Sequence, residues 1–175
     1  MSWYNPKTWL TGESLTAQLL NEYLSENTAY LFERPHNIVT IRDGASDIAI
    51  PNLSTVGTFA EVDDDQFTLT IETTGTMLEV WFTATVRSSA SGAPLSFDVW
   101  LDNEKYLSSF AGTPLDYGLV RGELFANYDT NMQFRVVFED IDAGVHTLQL
   151  HYSAVSHNGT MLLPDHFVQF GVREV

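Results

Sequence analysis

Phe67-Thr68-Leu69-Thr70-Ile71, a break at Thr74-Gly75, then Leu78-Glu79-Val80-Trp81-Phe82-Thr83-Ala84-Thr85-Val86: this stretch decides the fold class. The first run alternates apolar and hydroxylated residues with period two, so one face is buried and the other is wet. The second is long and apolar at most positions, as a strand inside a sheet has to be. Phe134-Arg135-Val136-Val137-Phe138 carries the same β-branched and aromatic bias.

Working outward, period two holds over most of the chain beyond Pro35. Strands are predicted at 37–42, 48–50, 58–62, 66–73, 77–88, 95–101, 118–125, 132–139, 145–153 and 166–175. The breaks hold turn chemistry: Asp43-Gly44, Thr74-Gly75, Ser91-Gly92, Asp102-Asn103, Asp142-Ala143-Gly144 and Asn158-Gly159. Parallel strands need long crossovers, commonly helical, and no helix separates these runs. The prediction is mainly β, an antiparallel β-sandwich of jelly-roll type over residues 36–175, preceded by one short N-terminal α-helix.

Residues 1–35 read differently. Trp3, Tyr4 and Trp9 sit on an irregular stretch broken by Pro6 and Gly12, an extended arm whose aromatics form an anchoring interface or fold back on their own domain. Ser14 and Thr16 are both suitable N-caps for a helix that Pro35 ends. Ala17, Leu20, Leu24, Asn27 and Leu31 follow three- and four-residue steps. That is a coiled-coil seam with Asn27 as its polar layer, or else a stripe packed on the sandwich of the same chain.

The 175 residues are 44% apolar and 13% aromatic, enough for one core without staples, and none is cysteine. The net charge of −15, with 23 acidic against 8 basic side chains and no basic patch, argues against nucleic acid and anionic membranes as partners. The start lacks the pattern of a signal peptide and no apolar run reaches membrane-spanning length, so a soluble, cytoplasmically made protein without membrane insertion is expected.

Catalytic and metal motifs are sparse. Asp63-Asp64-Asp65 offers oxygens for Ca²⁺ without the spacing of a calcium loop and reads as a solvated acidic turn. Asp98, Asp102 and Glu104 cluster near one strand end. Asp98 and Asp102 share a face if the strand runs regularly through both, the one arrangement here that suits a polysaccharide hydrolase. His36, His146, His151, His157 and His166 show no metal-ligand spacing, and His146 and His151 fall on opposite faces of one regular strand. Asn52-Leu53-Ser54 and Asn158-Gly159-Thr160 match the N-glycosylation triplet but read as turns. No catalytic residue, cofactor or metal is expected. Tyr106, Phe110, Tyr117, Phe125 and Tyr128 gather in the least strand-like segment, 103–129. They form a receptor or glycan surface through Tyr106, Phe110, Tyr117 and Tyr128, or a lid on the core.

Trp9-Leu10-Thr11-Gly12-Glu13-Ser14-Leu15-Thr16-Ala17-Gln18-Leu19-Leu20-Asn21, with Leu24, Asn27, Tyr30-Leu31 and Pro35 following, resembles a leader of tailed-bacteriophage virion proteins, W-x-x-G-E-x-x-T-A-x-x-L-N. The segments Ala143-Gly144-Val145-His146-Thr147-Leu148-Gln149-Leu150 and Gln169-Phe170-Gly171-Val172-Arg173-Glu174-Val175 are similar to the sandwich that follows it, with Phe97–Asp102 as a middle strand. The resemblance implies a tail fibre, head fibre or capsid-decorating subunit. Such a subunit is synthesised in the host bacterial cytoplasm, is homotrimeric, attaches to capsid or tail through its N-terminus, and faces outward; the alternative reading is a carbohydrate- or host-receptor-binding module with a host-surface glycan as partner. No long shaft separates leader from sandwich, which implies a compact spike or decoration subunit.

Overall fold

The computed structural model describes residues 14, 16–25, 28, 35–41, 46–55, 57–63, 65–75, 77–105, 118–162 and 166–175. The chain divides into two compact units, Met1–Pro35 and His36–Val175.

In the first unit, Thr16 rather than Ser14 caps the helix. Its backbone is extended, and its hydroxyl accepts from the Leu19 amide at 3.2 Å. The α-helical segment α1 (Ala17–Leu20) is one turn long and continues as a π-helical turn over Asn21–Ser25. A π turn holds more residues than an α turn, so the angular spacing of Leu20 and Leu24 departs from that of a regular seam.

The second unit holds β1 (His36–Ile41), β2 (Ile48–Ile50), β3 (Ala60–Glu61), β4 (Thr68–Thr73), β5 (Leu78–Ser88), β6 (Ala93–Leu101), β7 (Glu104–Lys105), β8 (Val120–Leu124), β9 (Asp129–Phe138), β10 (Gly144–Ala154), β11 (Gly159–Met161) and β12 (Val168–Glu174). All named pairs are antiparallel. In the first sheet β12 and β11 lie end to end along one edge of β5, with β9 on its other edge, and β1 and β2 flank β12 and β11. In the second, β4 and β3 share one edge of β10, β6 takes the other, and β8 and β7 share the far edge of β6. Counting strands that lie end to end as one, the chain visits the sheets so that the first sheet runs first-eighth-third-sixth and the second runs second-seventh-fourth-fifth. That winding is the jelly roll.

Two short strands, β7 and β11, fall outside the sequence expectation, and the expected 58–62 run narrows to Ala60–Glu61. β7 exists because Asp102 (φ 51°) and Asn103 (φ 64°) adopt the left-handed conformation of a tight two-residue hairpin turn.

Inward residues follow period two: Leu78, Val80, Phe82, Ala84 and Val86 on β5 face Leu95, Phe97, Val99 and Leu101 on β6 and Leu148, Leu150 and Tyr152 on β10. Phe82 and Phe97 meet across the sheets with ring centroids 4.8 Å apart. Phe67, Phe82, Phe97, Phe138 and Phe170 are all fully buried. Each removes enough apolar surface from water to contribute roughly 1.5–3 kcal/mol.

The four loops at one end of the sandwich are laced together. The Asn52 carboxamide oxygen accepts from Ser54 at 2.8 Å and Ser156 at 3.0 Å, while Asn158 Oδ1 accepts from the Asn52 amide at 2.9 Å. Asn127 donates to the Ser88 carbonyl at 3.1 Å and Ser89 to that of Asn158 at 3.3 Å. Both asparagines of the glycosylation triplets are thus turn anchors. At the other end the buried Glu174 carboxylate accepts from the Thr74 amide at 2.9 Å and its hydroxyl at 2.6 Å, tying the last strand to the β4–β5 turn.

Candidate functional site

The outer face of the first sheet carries a shallow, open groove of about 860 Å³. Strand register builds it. Arg173 lies opposite Glu79, Gly171 opposite Trp81 and Gln169 opposite Thr83. On the far side of β5, Arg135 lies opposite Trp81 and Gln133 opposite Thr83. The odd-numbered residues of three strands thus form one grid facing away from the core.

At the centre of the grid the Trp81 indole packs against Gly171, where any Cβ would run into the ring. Its Nε1 donates to Gln169 Oε1 at 3.0 Å, which fixes the ring in plane. Beside it Glu79, only 7% exposed, accepts from Arg135 and, at 2.6 Å, from Arg173. Burial alone pushes the Glu79 carboxyl up, and the hydrogen bonds from Arg135 and Arg173 outweigh it, so its pKa lies below the ordinary value. Both arginine side chains remain at least half exposed.

The outer face of the second sheet holds a buried polar cluster. Asp98, 1% exposed, pairs with Lys105 at 2.6 Å, and the lysine also sits 4.1 Å from the centre of the Phe59 ring. His151, 4% exposed, stacks on Trp100 at 4.1 Å between ring centres, 9° from parallel. Among the described residues, neither ring nitrogen of His151 has a hydrogen-bond partner. Desolvation, reinforced by the charge on Lys105, pulls the His151 pKa down to about 4, so the ring is neutral.

This geometry corrects the carboxylate reading. β6 ends at Leu101, so Asp102 leaves the strand and does not share a regular face with Asp98. Asp102 instead accepts from the Thr147 amide at 2.8 Å and pairs with His146 Nδ1 at 2.8 Å, while Asp98 is occupied by Lys105. Glu104 is exposed on β7. Asp98 and Asp102 are thus committed to separate structural tasks, and Glu104 does not join them. His146, pulled up chiefly by its bond to Asp102, and His151 project to opposite sides of β10, as their odd spacing requires.

Asp63 Oδ1 accepts from the amides of Asp65 (3.1 Å) and Gln66 (2.9 Å), a self-capped acidic turn, and Asp64 lies outside the described residues. Among the described residues, no group of three acidic or histidine side chains is placed to hold a metal. Also among them, no helix is long and apolar enough to cross a membrane.

Of the expected surface aromatics, Tyr128 is 72% and Phe125 64% exposed, both on the β8–β9 loop of the laced end. Tyr106, Phe110 and Tyr117 lie outside the described residues, as do Trp3, Tyr4 and Trp9 of the arm. Of the helical stripe, Ala17 and Leu24 are exposed, Leu20 is placed in backbone only, and Asn27 and Leu31 lie outside the described residues. The outer-face grid escaped the sequence reading. Its one available signal was the period-two set Glu79, Trp81 and Thr83, which names a face but not its neighbours.

Among solved structures, the protein of T=1 particles derived from infectious bursal virus superposes with a TM-score of 0.50 at 15% identity, over 81% of this chain and 36% of that one. The fold is that of a viral capsid-like β-sandwich. A Gt-strain structure of infectious bursal disease virus matches at a TM-score of 0.48 and 17% identity, over 81% of this chain and 38% of that chain. The VP2 subviral particle of the same virus gives 0.44 at 16% identity, over 81% and 37%. The chain therefore spans little more than a third of the length of these proteins. No family model matches it, and no curated protein is similar to it in sequence.

Proposed function

We propose that the chain is a non-enzymatic structural subunit of a bacteriophage particle, an exposed head gathered as a homotrimer and attached through its N-terminal segment. The observation that carries this reading is the jelly-roll winding, shared over 81% of the chain with the protein of a virus-derived particle. The leader resemblance across Trp9–Asn21 narrows the virus to a tailed phage. Anchoring falls to Trp3, Tyr4 and Trp9, and trimer formation to Ala17, Leu20, Leu24, Asn27 and Leu31. The exposure of Leu24, at 60%, is what a seam awaiting neighbouring copies requires. The commitment of Asp98 and Asp102 to Lys105 and His146 supports a role without catalysis.

Analytical ultracentrifugation of the full chain tests the assembly. A trimer is expected, reduced to monomer by Leu24→Glu, and a wild-type monomer at high concentration refutes the trimer. Gold labelling of particles against the sandwich tests its outward position, and loss of incorporation on deleting residues 1–12 tests the anchor.

A second reading, host-surface binding at the tip, is favoured by Phe125 and Tyr128, which stand exposed on a loop held by the Asn127 amide on the Ser88 carbonyl and the Ala126 amide on the Ser91 hydroxyl. Tyr128→Ala is expected to weaken adsorption to host cells at least tenfold if that reading holds.

A further inference from the structure

We infer that the groove on the outer face of the first sheet is a saccharide site selective for sugars bearing a carboxylate. The reading is independent of particle assembly, since it concerns a surface within the sandwich unit alone.

Three features converge on this ligand class. The first is the Trp81 platform. The indole lies against the backbone at Gly171 and lines the groove, with the ring locked by Gln169. A flat, immobilised aromatic face suits the C–H face of a sugar ring, whereas aliphatic side chains gain more from a deep apolar pocket.

The second is charge. Glu79 engages Nε and Nη2 of Arg135 and Nε of Arg173. A guanidinium carries five N–H donors, so most of the donors on both arginines are unused, and they have no partner among the described residues. One carboxylate against two guanidiniums leaves a local excess of one positive charge on a chain whose net charge is −15. The buried Glu79 thereby acts as a positioning residue that aims the two forks outward, the geometry that recognises a carboxylate by paired hydrogen bonds.

The third is the neutral lining. Asn131, Gln133, Gln169 and the Thr83 hydroxyl supply both donors and acceptors to the same depression, as sugar hydroxyls need. All of these residues stand on β5, β9 and β12, so the site is preformed by register, and its volume falls within the range of small-ligand sites.

The test is isothermal titration of the full chain with an oligogalacturonate trimer and, separately, with maltotriose. Binding of the acidic trimer at least tenfold tighter than the neutral one is expected, weakening as salt is raised. Arg135→Gln, which leaves Arg173 to hold Glu79, is expected to lower affinity about tenfold, and Gln133→Ala by a smaller factor. Gln133→Ala is exposed and should melt close to wild type, Arg135→Gln should melt lower but still cooperatively because Glu79 keeps Arg173, and Tyr128→Ala at the tip should bind as wild type does. Equal affinity for both trimers overturns the selectivity. No heat with either at millimolar concentration, or binding indifferent to both groove substitutions, overturns the site. Displacement of the acidic trimer by an equal concentration of inorganic phosphate reduces the groove to a simple anion site and overturns the saccharide assignment. Self-association abolished by Arg135→Gln, without saccharide binding, assigns the groove to a second copy instead.

Discussion

At the scale of single residues, the most consequential group is His151. Its ring is buried and neutral, with no hydrogen bond among the described residues to offset protonation. In the unfolded chain it takes up a proton as pH falls through 6.5, whereas in the folded chain it does so only near 4. The unfolded state therefore binds more protons across that window, and stability must fall as pH drops from 6.5 toward 4. The loss amounts to roughly 2–3 kcal/mol at the acid end. His151→Phe keeps a ring on Trp100 and removes the titration, so urea midpoints measured between pH 7 and pH 4 should fall less steeply than in the wild type. His146 contributes with the opposite sign. Its pKa is raised by Asp102, so its contribution is complete below 6.5 and disappears as pH rises through the higher folded value. Asp102→Asn should remove that alkaline loss and leave the acid limb unchanged. Asn52 is a third such position. Its side chain ties two loops, and Asn52→Ala should cost about 1–2 kcal/mol in a thermal melt through two lost backbone bonds.

At the scale of elements, Gly171 shows how strands depend on residues far away in sequence. It is buried beneath the Trp81 indole, and a methyl group there occupies space the ring already fills. Gly171→Ala should destabilise the sandwich by about 1–3 kcal/mol and change the indole emission as Trp81 is pushed off its seat. This contact also marks the limit of sequence reading. Period two identified nearly every strand, because alternation is a property of one segment. Which strands adjoin is a property of the whole winding, so nothing in residues 78–86 announces that Gly171 and Arg135 flank Trp81. The two short strands were hidden for another reason. Glu104-Lys105 is a charged pair without apolar alternation, brought back to β6 by the turn at Asp102-Asn103, and Gly159-Thr160-Met161 begins with a residue that disfavours strands. The helix was legible in its cap and apolar steps. Its change to a π turn after Leu20 was not, because the apolar spacing that signals a helix does not resolve one turn type from the other.

At the scale of the molecule, net charge and assembly oppose each other. A chain carrying −15 repels its copies, and gathering three of them concentrates that repulsion. The proposed seam, Ala17, Leu20, Leu24, Asn27 and Leu31, holds no charged residue, so the attraction it provides is indifferent to salt while the repulsion is screened. Raising ionic strength from about 0.01 M to about 0.15 M shortens the screening length from roughly 30 Å to roughly 8 Å. The trimer dissociation constant from sedimentation equilibrium should therefore fall over that range. A seam held by ion pairs would respond in the opposite direction, so the sign of the slope decides between the two modes of assembly. The groove supplies the internal control: an acidic saccharide held by Arg135 and Arg173 should bind less tightly as the same salt is added. One protein preparation then yields two salt slopes of opposite sign. If both run the same way, either the seam is electrostatic or the groove is not.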